Sequence, residues 1–70
     1  MKYLFVIEKA DDGSFSAYVP DLPGCTTCGE SEEEVRLGIK AAVASYVDSL
    51  REHHEPVPMP RSTADVVEAA

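Results

Sequence analysis

The chain has 70 residues, 44% of them hydrophobic, and a formal net charge of −7. A chain this short makes one domain with a thin core, so self-association is expected, while its apolar content is that of a globular protein rather than a disordered one. The negative charge argues against nucleic-acid binding by this chain alone and suits encounter with a basic partner, or solubility; no run approaches the ~20 apolar residues of a membrane span, and no signal-peptide cleavage pattern follows the N-terminus, so a cytoplasmic protein is expected.

Lys2 to Glu8 is β-prone and almost continuously apolar, which predicts a central strand covered on both faces. Tyr3, Phe5 and Ile7 would share one face, Leu4 and Val6 the other. Ala10-Asp11-Asp12-Gly13-Ser14 is a hairpin signal centred on Asp-Gly. Phe15 to Val19 then alternates, with Phe15, Ala17 and Val19 on one side and Ser16 and Tyr18 on the other. Pro20 should end that strand, and Pro23-Gly24 fits a tight turn with glycine at the position needing positive φ. Cys25 to Cys28 is a short third strand stopped by Gly29.

Ser31, with Glu34 three residues on, is a capping box. Glu32, Glu33 and Glu34 place negative charge at the positive end of the helix dipole. Val35, Ile39, Ala42, Val43, Tyr46, Val47 and Leu50 recur at helical spacing, predicting a helix from Glu32 to about Glu52 with that face on the sheet. Leu37, Ala41 and Ala44 lie off this face and are candidates for contact with a neighbour. Gly38 costs about 1 kcal/mol against alanine inside a helix; close packing on the sheet is the compensation expected for it. Arg51, His53 and His54 fall at the negative end. Glu55 to Pro60, with three alternating prolines, is an extended connector. The following residues fit either a short strand over Asp65-Val66-Val67-Glu68 or a short helix capped by Ser62 or Thr63.

The residues Asp12-Gly13, Ala17, Pro20-Asp21-Leu22-Pro23-Gly24-Cys25, Gly29, Ser31 and Glu34 resemble, at intact spacing, the pattern of the HicB-like antitoxin family of toxin–antitoxin systems. The resemblance covers about residues 3 to 60. Val35 stands where alanine is usual, and the segment after Pro60 matches poorly. The resemblance implies an α+β fold of partial ribonuclease H type, β-β-β-α-β: a three-stranded antiparallel sheet, one long helix on one face, and a fourth strand parallel to the first. It also implies an antitoxin that covers a small, basic HicA-type ribonuclease with a catalytic histidine. Asp21, Leu22, Pro23 and Gly24, with the nearby acidic Glu32 and Glu33, are the candidate partner contacts. Many relatives carry a DNA-binding domain after this one; residues 1–70 read as a single domain without it. The alternative is a solitary regulatory or structural homo-oligomer.

Chemistry has less support. Cys25 and Cys28 form Cys-x-x-Cys, but on a strand the two side chains face opposite ways, and the plainer reading of Cys25 is a small buried hydrophobe. A zinc site with His53 and His54 would need a helix end to reach a strand. A two-metal nuclease would need a carboxylate in the middle of the first strand, where Leu4-Phe5-Val6 stands. No catalytic residue, metal or other cofactor, or small-molecule substrate is therefore expected. Leu4, Val6 and Tyr18, left open on the sheet face that one helix cannot cover, are candidate self-association residues, and a dimer or tetramer is the expected state.

Overall fold

The computed structural model describes residues 1–70. Three strands, β1 (Val6–Lys9), β2 (Phe15–Tyr18) and β3 (Thr26–Gly29), precede one helix, α1 (Glu32–Glu52). The strands pair antiparallel in the order β1-β2-β3, with Ile7 opposite Ala17 and Ala17 opposite Thr27. The fold is the expected α+β arrangement. β2, not β1, is the central strand. The continuous apolar run of Lys2 to Glu8 suggested otherwise because a covered strand and a twice half-covered edge strand read alike; Tyr3 through Ile7 are all half-buried.

The register divides the sheet. Ile7, Ala17 and Thr27 turn one way, while Val6, Tyr18 and Thr26 turn the other. The first face meets α1. Ala17, Val19, Leu22, Cys25, Val35, Ile39 and Val47 are the buried residues, ringed by Tyr3, Phe5, Ile7, Phe15, Ala42, Val43, Tyr46 and Val57. Seven buried residues out of 70 make a thin core. Leu22, Ile39 and Val35 are fully enclosed. On the other face Leu4 and Val6 are half-buried and Tyr18 is exposed.

Both ends of α1 are built as local chemistry dictates. The Ser31 hydroxyl accepts the Glu34 N–H at 3.1 Å, and the Glu34 carboxylate reaches back to the Glu30 N–H at 3.4 Å, one residue earlier than a capping box requires. At the far end Glu55 N–H donates to Leu50 C=O and His54 N–H to Arg51 C=O, a Schellman closure with His54 at φ 56° where glycine is usual. His53 Nδ1 donates to Ser49 C=O at 2.8 Å. Gly38 explains itself: a β-carbon there would lie 2.9 Å from the Thr27 hydroxyl oxygen. Helix and sheet meet closely because that atom is absent.

Beyond Glu55 the chain is neither strand nor helix. Residues 56–62 instead form a strap. Val57 packs on the core, the Tyr3 hydroxyl donates to Pro58 C=O, and Asp21 holds Arg61 and Ser62. With those two backbone N–H groups taken by a carboxylate, the segment is fixed at the end of β2 rather than laid along β1. Neither the fourth strand nor the short helix is present. No helix is long and apolar enough to cross a membrane.

Candidate partner-binding site

The Pro20–Gly24 loop is two consecutive tight turns. Leu22 N–H donates to Val19 C=O and Cys25 N–H to Leu22 C=O. Pro23 and Gly24 are the central residues of the second turn, and Gly24 has φ 79°, the type II geometry that glycine serves without strain. The Val19 N–H to Cys25 C=O bond closes the loop at its base. Leu22 plugs the core from above, and the Tyr46 hydroxyl ties Pro23 C=O to the helix at 2.8 Å. The loop is thus rigid, with Pro20, Pro23 and Gly24 exposed.

The four loop residues expected to touch a partner separate into different jobs. Leu22 is 0% exposed and offers no surface. Asp21 is occupied: its Oδ2 accepts Arg61 N–H at 2.9 Å and Ser62 N–H at 3.0 Å, and its Oδ1 accepts the Ser62 hydroxyl at 2.7 Å. The Arg61 backbone bond, then the two Ser62 bonds, hold the Asp21 carboxyl below its ordinary 3.8. Pro23 and Gly24 alone remain available. An open cleft of about 510 Å³ runs beside Gly24, with Thr26, Ser45, Tyr46 and Ser49 supplying hydroxyls along its wall.

Glu32 and Glu33 are exposed but lie elsewhere. Pro23 touches Tyr46, fourteen residues along α1 from Glu32, which is about 20 Å at helical rise. The expected contact set therefore falls at two ends of the molecule. The end that holds Glu32 and Glu33 is more acidic than sequence suggested. Lys9 lies opposite Phe15, and Phe15 opposite Gly29. The 10–14 turn, the β3–α1 junction and the first helical turn are therefore neighbours. Glu8, Asp11, Asp12, Glu30, Glu32, Glu33 and Glu34 gather there, all exposed: seven of the thirteen acidic residues. Lys9 and Arg36 are the cations among them, and Arg36 reaches Glu32 only at 4.0 Å. Asp12 accepts the Ser14 hydroxyl and N–H, which lower its pKa. Three antiparallel strands of similar length place the first turn and the third strand's exit together, so this pole was derivable from the sequence. The Asp21–Ser62 clamp, 41 residues apart, was not.

The remaining candidates are scattered. Cys25 is buried and Cys28 exposed, and burial raises the Cys25 thiol's pKa, the condition of an unreactive cysteine. No three His, Cys, Asp or Glu side chains are grouped so as to hold a metal ion. Leu37, Ala41 and Ala44 are exposed on the solvent side of α1, while Leu4, Val6 and Tyr18 lie on the uncovered sheet face. These are two separate surfaces.

A family model described as the HicB-like antitoxin of bacterial toxin–antitoxin systems matches residues 3–70. A UPF0150 protein of Thermoplasma acidophilum is 43% identical over 58 residues, 83% of this chain and 84% of that protein. A UPF0150 protein of Synechocystis is 39% identical over 56 residues, 80% of this chain and 71% of that protein. Among solved structures, the N-terminal domain of the Burkholderia pseudomallei antitoxin HicB matches with a TM-score of 0.75 and 29% identity, over 84% of this chain and 69% of that one.

Proposed function

The chain belongs to the HicB-like antitoxin family of bacterial toxin–antitoxin systems, and from that premise we propose that it neutralises a small, basic HicA-type ribonuclease by covering the toxin's RNA-binding and catalytic face. The observation that carries this reading is the acidic pole. Its carboxylates are exposed and grouped at one end, where they would occupy the positions of RNA phosphates on a basic surface. Such a field speeds encounter with a cation-rich partner and loses that advantage as salt rises. The rigid Pro23–Gly24 turn is a second contact, shaped by backbone rather than charge. The protein acts by binding, in the cytoplasm, with no catalytic step of its own.

The experiment is co-expression with a basic toxin encoded beside it, followed by association kinetics at several salt concentrations. The complex is expected to copurify, with an association rate that falls as salt rises. Glu32→Lys with Glu33→Lys is expected to slow association about tenfold or more at low salt. A rate indifferent to both salt and charge reversal would refute the role of the pole.

The thin core and the open face bearing Leu4, Val6 and Tyr18 also support self-association. On this reading the antitoxin is a homo-oligomer.

A further inference from the structure

The loop and the strap together enclose an open hollow of about 540 Å³. Pro20 and Pro23 of the loop and Pro58 and Met59 of the strap line it, with Asp21 and Arg61 completing the wall. Its volume is that of a small-ligand site. Met59 is 68% exposed; among the large apolar side chains only Val66 and Val67 are more so.

The Arg61 side chain has no task within the chain. The strap is held by the Arg61 backbone N–H, not by the guanidinium. The one ion pair joins Arg36 to Glu32, and the one cation–π contact is Lys9 over Phe15. Asp21 feels the Arg61 charge, but its oxygens are taken by backbone and hydroxyl donors.

The walls share one complement. Proline-rich segments are recognised by docking against aromatic rings, a guanidinium favours a ring face, and a thioether sulfur favours a ring edge. An aliphatic occupant would use the prolines and leave Arg61 idle. An acidic one would meet Arg61 but stand against the Asp21 carboxylate. We propose that this hollow receives an aromatic side chain of the protein partner. Its walls are set before binding. Pro23 C=O is tied to Tyr46, Pro58 C=O to Tyr3, and Asp21 locks loop to strap. Proline has no side-chain rotamers to lose, so an aromatic anchor would dock at low ordering cost. The identity of the partner rests on the toxin reading; the chemistry of the hollow does not.

The chain has no tryptophan and only two methionines, Met1 and Met59, so a tryptophan probe and labelled methionine methyls report cleanly. Millimolar N-acetyltryptophanamide is titrated into the full chain. The Met59 methyl resonance is expected to move upfield by ring current, further than that of Met1, and N-acetylleucinamide is expected to leave it in place. Arg61→Gln, which keeps the backbone bond to Asp21, is expected to weaken the probe about threefold. A Met59 methyl that moves no more than Met1's, or equally with the leucine amide, overturns the inference. In the complex with the basic toxin the same methyl is expected to move upfield. Met59→Ala with Arg61→Gln is expected to speed dissociation about tenfold without changing the salt dependence of association. A salt-dependent complex in which the Met59 methyl is unmoved overturns the hollow and leaves the toxin reading standing. If no complex forms, the toxin reading fails and the amide titration decides the hollow. A Met59 shift that follows protein concentration alone gives the hollow to a second copy and overturns the assignment to a partner.

Discussion

Replacing Gly38 with alanine should destabilise this protein, although the same change at an exposed helical site is worth about 1 kcal/mol in the other direction. The new β-carbon would lie 2.9 Å from the Thr27 hydroxyl oxygen, 3.5 Å from its methyl and 3.7 Å from its β-carbon. Keeping Thr27 in its rotamer, or turning its larger methyl group into the oxygen's place, pushes α1 away from β3. Overpacking of that kind costs about 1–3 kcal/mol, leaving a net loss of about 1 kcal/mol after the helical gain. For a domain of this size that is roughly 4–8 °C in Tm. The informative assay is a cycle with Thr27→Ala, followed by urea unfolding at one fixed protein concentration. Thr27→Ala removes the two nearer atoms and leaves the 3.7 Å contact, which is ordinary packing. In that background Gly38→Ala should become stabilising by about 1 kcal/mol, a coupling of about 2 kcal/mol between touching residues. An effect of the same sign and size in both backgrounds would refute the claim that Gly38 sets the distance between helix and sheet.

Leu22→Ala, at a fully enclosed site, should cost about 2–5 kcal/mol, a large part of the total for a chain this size; a loss under 1 kcal/mol in denaturant unfolding would show that the loop does not anchor the core. His54→Gly relieves a left-handed residue at φ 56° and should raise stability by about 0.5–1 kcal/mol, read as an increase in Tm; a lower Tm would point to a role for the imidazole. Because the Asp21 pKa is lowered in the folded chain, the strap contributes fully above the ordinary value of 3.8 and is lost as pH falls through the lower folded value. The amide resonances of Arg61 and Ser62 should therefore titrate together below pH 3.8, and Asp21→Asn should abolish that transition; a midpoint above 3.8 contradicts the clamp.

The parts of the fold legible in the sequence were those governed by neighbours. Ser31 and Glu34 marked the helix start, the spacing from Val35 to Leu50 its buried face, and Pro23-Gly24 its turn type. Each is an interaction across fewer than five residues or a repeat along one element. β1 was misplaced to the centre because composition reports how apolar a strand is, not how many strands flank it. The candidate site was legible in halves. Pro23 and Gly24 are exposed as expected, but Leu22 is core and Asp21 is spent on the strap, contacts that only tertiary structure creates. Glu32 and Glu33 were found as helix-start residues, without the Glu8, Asp11, Asp12 and Glu30 that the strand register brings beside them.

The strap also sets an order of events in time. Asp21 leaves the ribosome about forty residues before Ser62, and Tyr3 waits still longer for Pro58, at separations of 41 and 55. The hairpin, β3 and α1 close shorter loops than these. Long-range closures through surface polar groups form late and open early. Opening there needs no loss of the sheet or the helix. A protease meeting the folded chain would therefore cut first in the exposed residues beyond Ser62, whereas a nick within the strap itself, after it has opened, would leave the acidic pole standing while freeing Tyr3 and the Asp21 carboxylate.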